Sequence, residues 1–267
     1  MNSVRSCALL SLALLAHHLN DLITAASTVN NDDQQQGLLS PLVNRVIRHY
    51  EHYYKAKSRW VDRDVLAMLA PSWRSTLEDA FLWLGGWRPT MAFHLLYSKS
   101  GIQMETRLAE LTRGLGIGKT DLGGLSPSQL SKADELQRRT VREERAVSER
   151  MAEVQESVAD AEMVELTHLV SEEEEEERVE SAMKGKREGL VEVVEWADDL
   201  RLRTFKSVIE LLTPIQAVHF LIAAAELHLK MHEWGEKRDA DHRRNRQDQW
   251  MGSHAAGGGG GGPNGMC

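Results

Sequence analysis

Two short segments of this chain, far apart in the sequence, have the same design, and each predicts the start of a long helix. They are residues 126–129 (SPSQ) and 213–216 (TPIQ). In each, a hydroxyl residue stands at the N-cap, where it accepts a hydrogen bond from a free backbone N–H. Proline follows at the first helical position, and a glutamine three residues after the cap reaches back to the cap's amide. The fold must therefore accommodate at least two long helices.

The rest of the chain has the periodicity of helices and not that of strands. After residues 30–37, which form a polar linker, apolar residues recur every three or four positions from Leu39 to Tyr54. Residues 75–78 (STLE) match a capping box, and nothing breaks a helix between Leu130 and about Met163. We predict an all-α fold: a single domain of long antiparallel helices, a helical bundle, from about residue 38 to 236.

Charge is concentrated in one part of the chain. The net charge is −8, and twelve acidic against four basic residues between Ser171 and Asp199 account for it. Because the six consecutive glutamates 172–177 repel one another, we expect a flexible, solvated acidic loop or a frayed helix end over about 171–188. Such a chain is a poor electrostatic match for nucleic acid, so any contact with DNA is expected to be indirect.

Both ends of the chain are expected to lie outside the bundle. Residues 1–37 are a partly apolar N-terminal extension, and its stretch CALLSLALLA (7–16) imitates a secretory signal but is too short to span a bilayer. We disfavour secretion, because the two cysteines lie at positions 7 and 267 and no Asn-x-Ser/Thr sequon occurs. Residues 237–267 are predicted to form a disordered, glycine-rich tail.

One block of the sequence carries a resemblance to a known family. Residues 72–98 read SWRSTLEDAFLWLGGWRPTMAFHLLYS and resemble the seed-dormancy-control, or delay-of-germination, domain of plants, which TGA basic-leucine-zipper transcription factors share as their C-terminal region. Residues 125–130 (LSPSQL), 151–156 (MAEVQE) and the run from Ala197 to Trp234 agree in order. The chain is similar to a stand-alone dormancy-type member, because the segment before Leu38 has neither a basic cluster nor heptads.

The resemblance implies a function without catalysis. It predicts a non-enzymatic regulatory protein-interaction domain in seed dormancy and germination, abscisic-acid-type signalling or transcriptional regulation. The implied partners are 2C-type phosphatases or transcriptional coactivators, in the nucleus and the cytoplasm, with no membrane association. The oligomeric state stays open, and a homodimer is one option. A TGA-like regulator with sequence-specific DNA binding is a further alternative, which the charge balance disfavours.

The motif WLGGWRP at residues 83–89 predicts a tight corner. Its two glycines permit backbone conformations that are closed to other residues, and its proline restarts the chain. Paired tryptophans beside such glycines favour a packing role over partner docking. If the corner does dock a partner, the candidates are exposed aromatic or arginine side chains beside it, namely Trp73, Arg74 and Arg88.

Histidines are the remaining candidates for chemistry. His228 and His232 are four residues apart and so share a helix face, where they are candidate haem ligands. Haem binding is associated with dormancy-type members of the family, although those ligands do not align residue by residue with this chain. A haem- or small-ligand-binding sensor is therefore the alternative function, and a solvated or packing histidine pair is favoured over it. No catalytic residue or metal site is predicted.

Overall fold

The structure is a computed structural model and describes residues 2–28, 39–113, 121–168 and 172–256. The helices are α1 Asn2–Thr28, α2 Leu39–Val61, α3 Val65–Leu69, α4 Thr76–Ala80, α5 Met91–Thr112, α6 Pro127–Glu156, α7 Ala161–Leu166, α8 Glu172–Glu210 and α9 Pro214–Ala256. Short 3₁₀ turns cover Leu122–Gly124 and Ser157–Ala159. No strand occurs in these four described ranges, and the predicted all-α class is confirmed.

The predicted helix starts are confirmed by their hydrogen bonds. Ser126 caps α6 and Thr213 caps α9, and each hydroxyl accepts from the amide of the glutamine three residues later. The two glutamines also meet each other, since Gln129 Nε2 donates to Gln216 Oε1 at 2.7 Å. Gln129 Nε2 donates further to the carbonyl of Leu211 at 2.9 Å. One side chain therefore joins the start of α6 to the turn between α8 and α9.

The long helices surround a main core and two smaller clusters. Helix α8 packs against α6 and α2, and α9 packs against α1, α2 and α5. Fully buried residues of the main core include Phe93 on α5, Val208 on α8 and Val218 on α9. Adjacent residues of α8 serve the smaller clusters: Val194 packs with α2 and α3, and Val193 packs with α6. Helix α8 therefore connects all three apolar regions.

Of the two forms expected for the acidic stretch, a loop or a helix end, the structure has the helix end. Helix α8 begins at Glu172 and continues without interruption to Glu210, so the run of glutamates forms its first turns. A helix accommodates acidic residues best at its N-terminus, because the helix dipole places positive potential there. Repulsion between neighbouring glutamates therefore does not prevent the helix from forming.

The bundle extends further toward both ends of the chain than predicted. Helix α1 lies within the expected extension 1–37, yet it packs against α9 and α2, and its Leu22 belongs to the main core. Helix α9 continues past residue 236 to Ala256, and the rest of the expected tail, 257–267, lies outside the described residues. Helix α6 ends earlier than expected, at Glu156, because Asp160 caps the separate helix α7.

The length and apolar character of the helices bear on membrane insertion. In the part of the chain that the structure describes, no helix combines the length and the apolar character that a bilayer crossing needs.

Candidate functional site

The corner predicted at residues 83–89 is present and closes on itself. Trp83 N–H donates to the carbonyl of Gly86 at 2.8 Å, and Gly86 N–H donates back to Trp83 at 3.2 Å. Between them, Leu84 and Gly85 both have positive φ, 49° and 72°, as the central residues of a type I′ turn do. A Cβ at Gly85 would lie 2.7 Å from the carbonyl oxygen of Met68. Both the backbone conformation and the close approach therefore require glycine at this position.

Two buried cations bind the backbone carbonyls of the corner. The guanidinium of Arg201, on α8, is fully buried. It donates to three carbonyls, those of Trp87 at 2.6 Å, Leu84 at 3.1 Å and Trp83. Nζ of Lys57, on α2, donates to the carbonyl of Gly85 at 3.0 Å. Because an unpaired buried carbonyl is costly, these cations satisfy groups that a tight turn leaves without helix partners.

Asp198 is the counter-ion of both cations. Its Oδ1 lies 2.5 Å from Arg201 Nη1 and 2.9 Å from Lys57 Nζ. With all three side chains ionised, two positive charges face one negative charge in a buried site. Burial lowers the pKa of Lys57 to about 8; the negative charge of Asp198 opposes this shift, and the positive charge of Arg201 adds to it. The carbonyl dipoles of the corner help to stabilise the excess positive charge.

A buried carboxylate secures the other end of the corner. Glu144 of α6 is 1% exposed and accepts from the backbone N–H of Thr90 at 2.6 Å. It also accepts from Arg88 Nε at 2.8 Å and from the Thr90 hydroxyl at 3.3 Å. The segment that leads from the corner into α5 is therefore attached to α6 by three hydrogen bonds. The bond from Arg88 is the strongest type, because both its donor and its acceptor are charged.

The two tryptophans of the corner are tied to different helices. Trp83 Nε1 donates to Ser148 Oγ on α6 at 3.0 Å, and its ring lies 5.3 Å from the Arg201 guanidinium carbon. Trp87 Nε1 donates to the Tyr54 hydroxyl on α2 at 2.8 Å. Burial raises the pKa of Tyr54 well above its usual value, so this hydroxyl stays protonated at neutral pH. These contacts agree with the packing role that was favoured for the tryptophans.

The predicted partner-binding residues lie in three different environments. Trp73 is half-buried and packs against the cluster that α2, α3 and α8 share. Arg74 is half-buried too, and it lies close enough to Lys57 to contribute to the lowering of that pKa. Arg88 is the most accessible of the three, with 52% of its side chain exposed, although its Nε is bound to Glu144. Arg88 belongs to the corner itself and is largely exposed, whereas Trp73 and Arg74 lie beside helices that contact it.

The two predicted haem ligands have different surroundings. His232 is partly buried, and its Nδ1 lies 3.1 Å from Glu78 Oε2, to which it donates because an ionised carboxylate only accepts. His228, one turn earlier on α9, is exposed. Burial acts to raise the pKa of Glu78, but hydrogen bonds from Ser75 and His232 outweigh it, so this pKa is below its usual value. Among the described residues, no three His, Cys, Asp or Glu side chains form a metal-binding group.

Further contacts near Glu78 attach the short helix α4 to α9. Backbone N–H and hydroxyl groups of Thr76 donate to the two carboxylate oxygens of Asp239 at 2.9 and 2.5 Å, and these bonds lower the pKa of Asp239. A Cβ at Gly235 would fall 1.9 Å from the hydroxyl oxygen of Ser75. The N-terminus of α4 therefore rests directly on α9, with glycine at the point of closest approach.

Comparison with known proteins agrees with the corner motif. Residues 18–98 match the family described as "Seed dormancy control", a range that starts inside α1 and ends in α5. The chain is 30% identical over 233 residues to Protein DOG1-like 3 of Arabidopsis thaliana. The aligned region covers 85% of this chain and 82% of that protein. The chain belongs to the seed dormancy control family.

Two further relatives extend the similarity beyond the DOG1-like proteins. Protein RESPONSE TO ABA AND SALT 1 of Arabidopsis thaliana is 28% identical, over 77% of this chain and 81% of that protein. Transcription factor TGA2.3 of Oryza sativa subsp. japonica is 27% identical, over 78% of this chain and 56% of the factor. The predicted resemblance to the dormancy domain and to TGA factors is confirmed.

In this seed dormancy control protein, sequence reasoning missed four buried ionic residues around the corner: Lys57, Glu144, Asp198 and Arg201. A signal for them exists in the helical spacing. Arg201, for example, stands four residues from buried Ala197 and four from buried Phe205 on the same face of α8. A charged residue within an apolar stripe predicts a buried partner, because an unpaired buried charge is not tolerated.

Proposed function

We propose that this seed dormancy control protein is a non-enzymatic regulator that acts by binding other proteins. The observation that carries the proposal is the similarity to Protein DOG1-like 3, because it extends over 85% of the chain and so includes most of the bundle around the corner. The names of the relatives support a role in seed dormancy and germination, in abscisic-acid-type signalling or in transcriptional regulation.

The chemistry of the corner supports a role without turnover. Asp198 is bound by Lys57 and Arg201, and these cations in turn bind the backbone. Glu144 is likewise occupied by Thr90 and Arg88. These ionisable groups hold the corner in one conformation, which is what a rigid docking surface needs, since preformed surfaces lose less entropy on binding.

The surface that we assign to partner binding is formed by Trp73, Arg74 and Arg88. Tryptophan and arginine dominate the energetics of many interfaces, because both bring a large contact area and directional hydrogen-bond donors. Arg88 uses its Nε for Glu144, and its guanidinium carries further N–H donors that a partner carboxylate or carbonyl can accept. Trp73 would supply the apolar part of the contact from its exposed side.

The partners that we propose are 2C-type protein phosphatases or transcriptional coactivators, and we propose that the protein binds them in the nucleus and the cytoplasm. DNA would be reached only through such a partner, because the chain carries a net charge of −8. The basic residues 243, 244 and 246 are exposed on α9, and Arg244 lies 3.9 Å from Asp241, so their field is partly offset.

Isothermal titration calorimetry of the full chain with a purified 2C-type phosphatase, and separately with a coactivator, tests the proposal. We expect saturable binding to one of them, weakened at least tenfold by Arg74→Glu or Arg88→Gln. Arg138→Gln is the matched control, because Arg138 is exposed and pairs with Asp134 of its own helix. Absence of binding to both partner classes, or equal losses in all three variants, would contradict the proposal.

A haem sensor is the second candidate function, and the contact between His232 and Glu78 favours it. Histidines that ligate a metal commonly donate their other ring N–H to a carboxylate, which fixes the ring and increases the basicity of the ligating nitrogen. His232 has this arrangement at Nδ1, so its Nε2 would hold the haem iron, and the bound haem would supply ligand sensing. His228 lies one turn earlier on the same face, and no hydrogen bond to a carboxylate is found for it among the described residues.

Titration with haem, followed by the Soret band, tests this candidate. We expect a saturable band that His232→Ala abolishes and Glu78→Gln weakens, whereas His228→Ala and the exposed-site control His94→Ala leave it unchanged. A band of equal strength in His232→Ala, or no saturable band in the wild-type chain, would show that His232 does not hold haem.

A further inference from the structure

Four histidines gather where α1 packs against α2. His17 and His18 lie on α1, and His49 and His52 lie on α2. The rings of His18 and His49 meet edge to face with their centroids 5.3 Å apart, and the ring of His17 is 6.1 Å from that of His18. Neither the family resemblance nor the proposed function uses this cluster.

His18 occupies a position that suits an apolar residue. It stands between Leu15 and Leu22 on the buried stripe of α1 and is only 7% exposed. Its Nδ1 is buried and has no hydrogen-bond partner among the described residues. A neutral imidazole tolerates this site, whereas an imidazolium would carry a buried N–H donor without an acceptor and a charge that burial destabilises.

The charged surroundings reinforce the preference for neutral histidine. Titratable groups near His18 are His17 and Asp21 on α1 and Arg45 and His49 on α2, and His52 lies near His49. Helix α9 also packs against α1, and between Pro214 and His232 it carries His219, Glu226, His228, Lys230 and His232. Burial chiefly, followed by His17 and Arg45, lowers the pKa of His18 against the opposing effect of Asp21. Burial, His18 and His52 lower the pKa of His49.

Outside this cluster, α1 is held by apolar packing, mostly against α9, and by one surface ion pair. Leu22 is the residue of α1 that is fully integrated in the main core, with Leu19, Ala25 and Ala26 packed at its edge. The ion pair between Asp21 and Arg45 spans 3.2 Å at the surface, where such pairs contribute little. Protonation of the buried histidine would oppose these apolar contacts, because it places a charge on the same buried stripe of α1.

We propose that α1 is a proton-sensitive latch, which is docked on α2 and α9 while His18 and His49 are neutral and is released when they become protonated. The sign follows from linkage: the released state binds protons more readily, so docking is complete above about pH 6.5 and weakens as the pH falls below it. Each histidine weakens docking by up to about tenfold per pH unit. Release would uncover the apolar surfaces of α2 and α9 that α1 covers.

Hydrogen–deuterium exchange of the full chain at pH 7.5, 6.5 and 5.5, corrected for the intrinsic pH dependence of exchange, tests the latch. We expect peptides covering residues 15–28 to lose protection by tenfold or more at pH 5.5, while peptides of α5 and α8 keep theirs. His17→Gln, an exposed neighbour on the same helix, should retain the response. His18→Leu, which removes the titrating group but preserves burial, should keep α1 protected at all three pH values.

Two outcomes would overturn the proposal: equal protection of residues 15–28 in the wild-type chain at pH 7.5 and 5.5, or the same acid-induced loss in His18→Leu. An NMR titration of the wild-type His18 ring makes the test independent of the folding of that variant. We expect its midpoint below 6.5, and a midpoint at or above 6.5 would equally overturn the latch.

Discussion

Arg201 donates a hydrogen bond from Nε to the backbone carbonyl of Trp87 at 2.6 Å, although the two residues are 114 positions apart in the chain. The same guanidinium binds two other carbonyls of the corner. The conformation of the corner therefore depends on α8 as much as on its own glycines. An interaction surface attached to this corner is rigid because a buried side chain from a distant helix holds its backbone.

The buried ion cluster predicts an asymmetric response to substitution. Asp198→Ala leaves Lys57 and Arg201 both buried without a counter-ion, and we expect it to lower the free energy of unfolding by about 3–5 kcal/mol. Lys57→Met preserves the pair between Asp198 and Arg201 and should cost clearly less. Urea unfolding followed by circular dichroism measures both values. Equal losses in the two variants would show that Asp198 is not the common counter-ion.

Replacing glycine by alanine should have opposite effects on stability at two positions, Gly86 and Gly101. A Cβ at Gly86 would lie 2.7 Å from the guanidinium carbon of Arg201, which is fully buried and cannot move aside. We expect Gly86→Ala to destabilise the protein by about 1–3 kcal/mol through overpacking. Gly101→Ala is the matched control, because a Cβ on this α5 residue meets no atom within 4 Å. That control should gain about 0.5–1 kcal/mol, and thermal unfolding distinguishes the two.

The pKa of Lys57 predicts how stability responds to alkaline pH. Because the folded-state pKa is about 8 and the usual value is 10.5, the unfolded chain binds more protons between these limits. The contribution of Lys57 to the free energy of unfolding should therefore rise with pH over this window, by about 1.4 kcal/mol per pH unit at most. Lys57→Met should lack this rise. Tyrosines also titrate at alkaline pH, but they are present in both proteins, so the difference between the two stability curves reports Lys57 alone.

Denaturant unfolding at pH 7.5, 8.5 and 9.5 provides the measurement for Lys57. A wild-type curve that runs parallel to that of Lys57→Met across this range would mean that the Lys57 ammonium keeps its ordinary pKa in the folded protein.

The contact between α4 and α9 predicts a local effect. Gly235→Ala would place a Cβ 1.9 Å from the Ser75 hydroxyl, so α4 must move and lose its bonds from Thr76 to Asp239. We expect amide protection over residues 75–80 to fall at least tenfold while the main core keeps its protection. Gly185→Ala on α8, where the added Cβ meets nothing within 4 Å, is the control. Unchanged protection in Gly235→Ala would contradict the close approach.

Local signals made much of the fold predictable. The capping boxes at Ser75, Ser126 and Thr213 form as the sequence indicates, because a cap requires only residues within one turn of each other. The corner was predictable for the same reason, as its glycines and tryptophans are adjacent in the chain. Helix α6, by contrast, ends earlier than its pattern indicates, since the cap at Asp160 starts another helix before the apolar pattern stops.

Features that depend on distant residues could not be predicted from one sequence. The partner of Lys57 is Asp198, which lies 141 positions away, and no local pattern couples them. The packing of α1 escaped prediction because its apolar stretch also matches the composition of a signal sequence. Among the candidate site residues, the motif located Arg88 beside the corner, but the burial of Trp73 and Arg74 depends on helices that only the tertiary structure brings near.

The measurement that tests the central claim most directly is quantitative capture from developing-seed extract by the full chain, read by mass spectrometry. Wild type is compared with Arg88→Gln and with the control Arg138→Gln. We expect wild type and the control to enrich a 2C-type phosphatase or a transcription regulator at least tenfold, and Arg88→Gln to lose most of this enrichment. Enrichment of neither class, or equal enrichment by all three proteins, would contradict it.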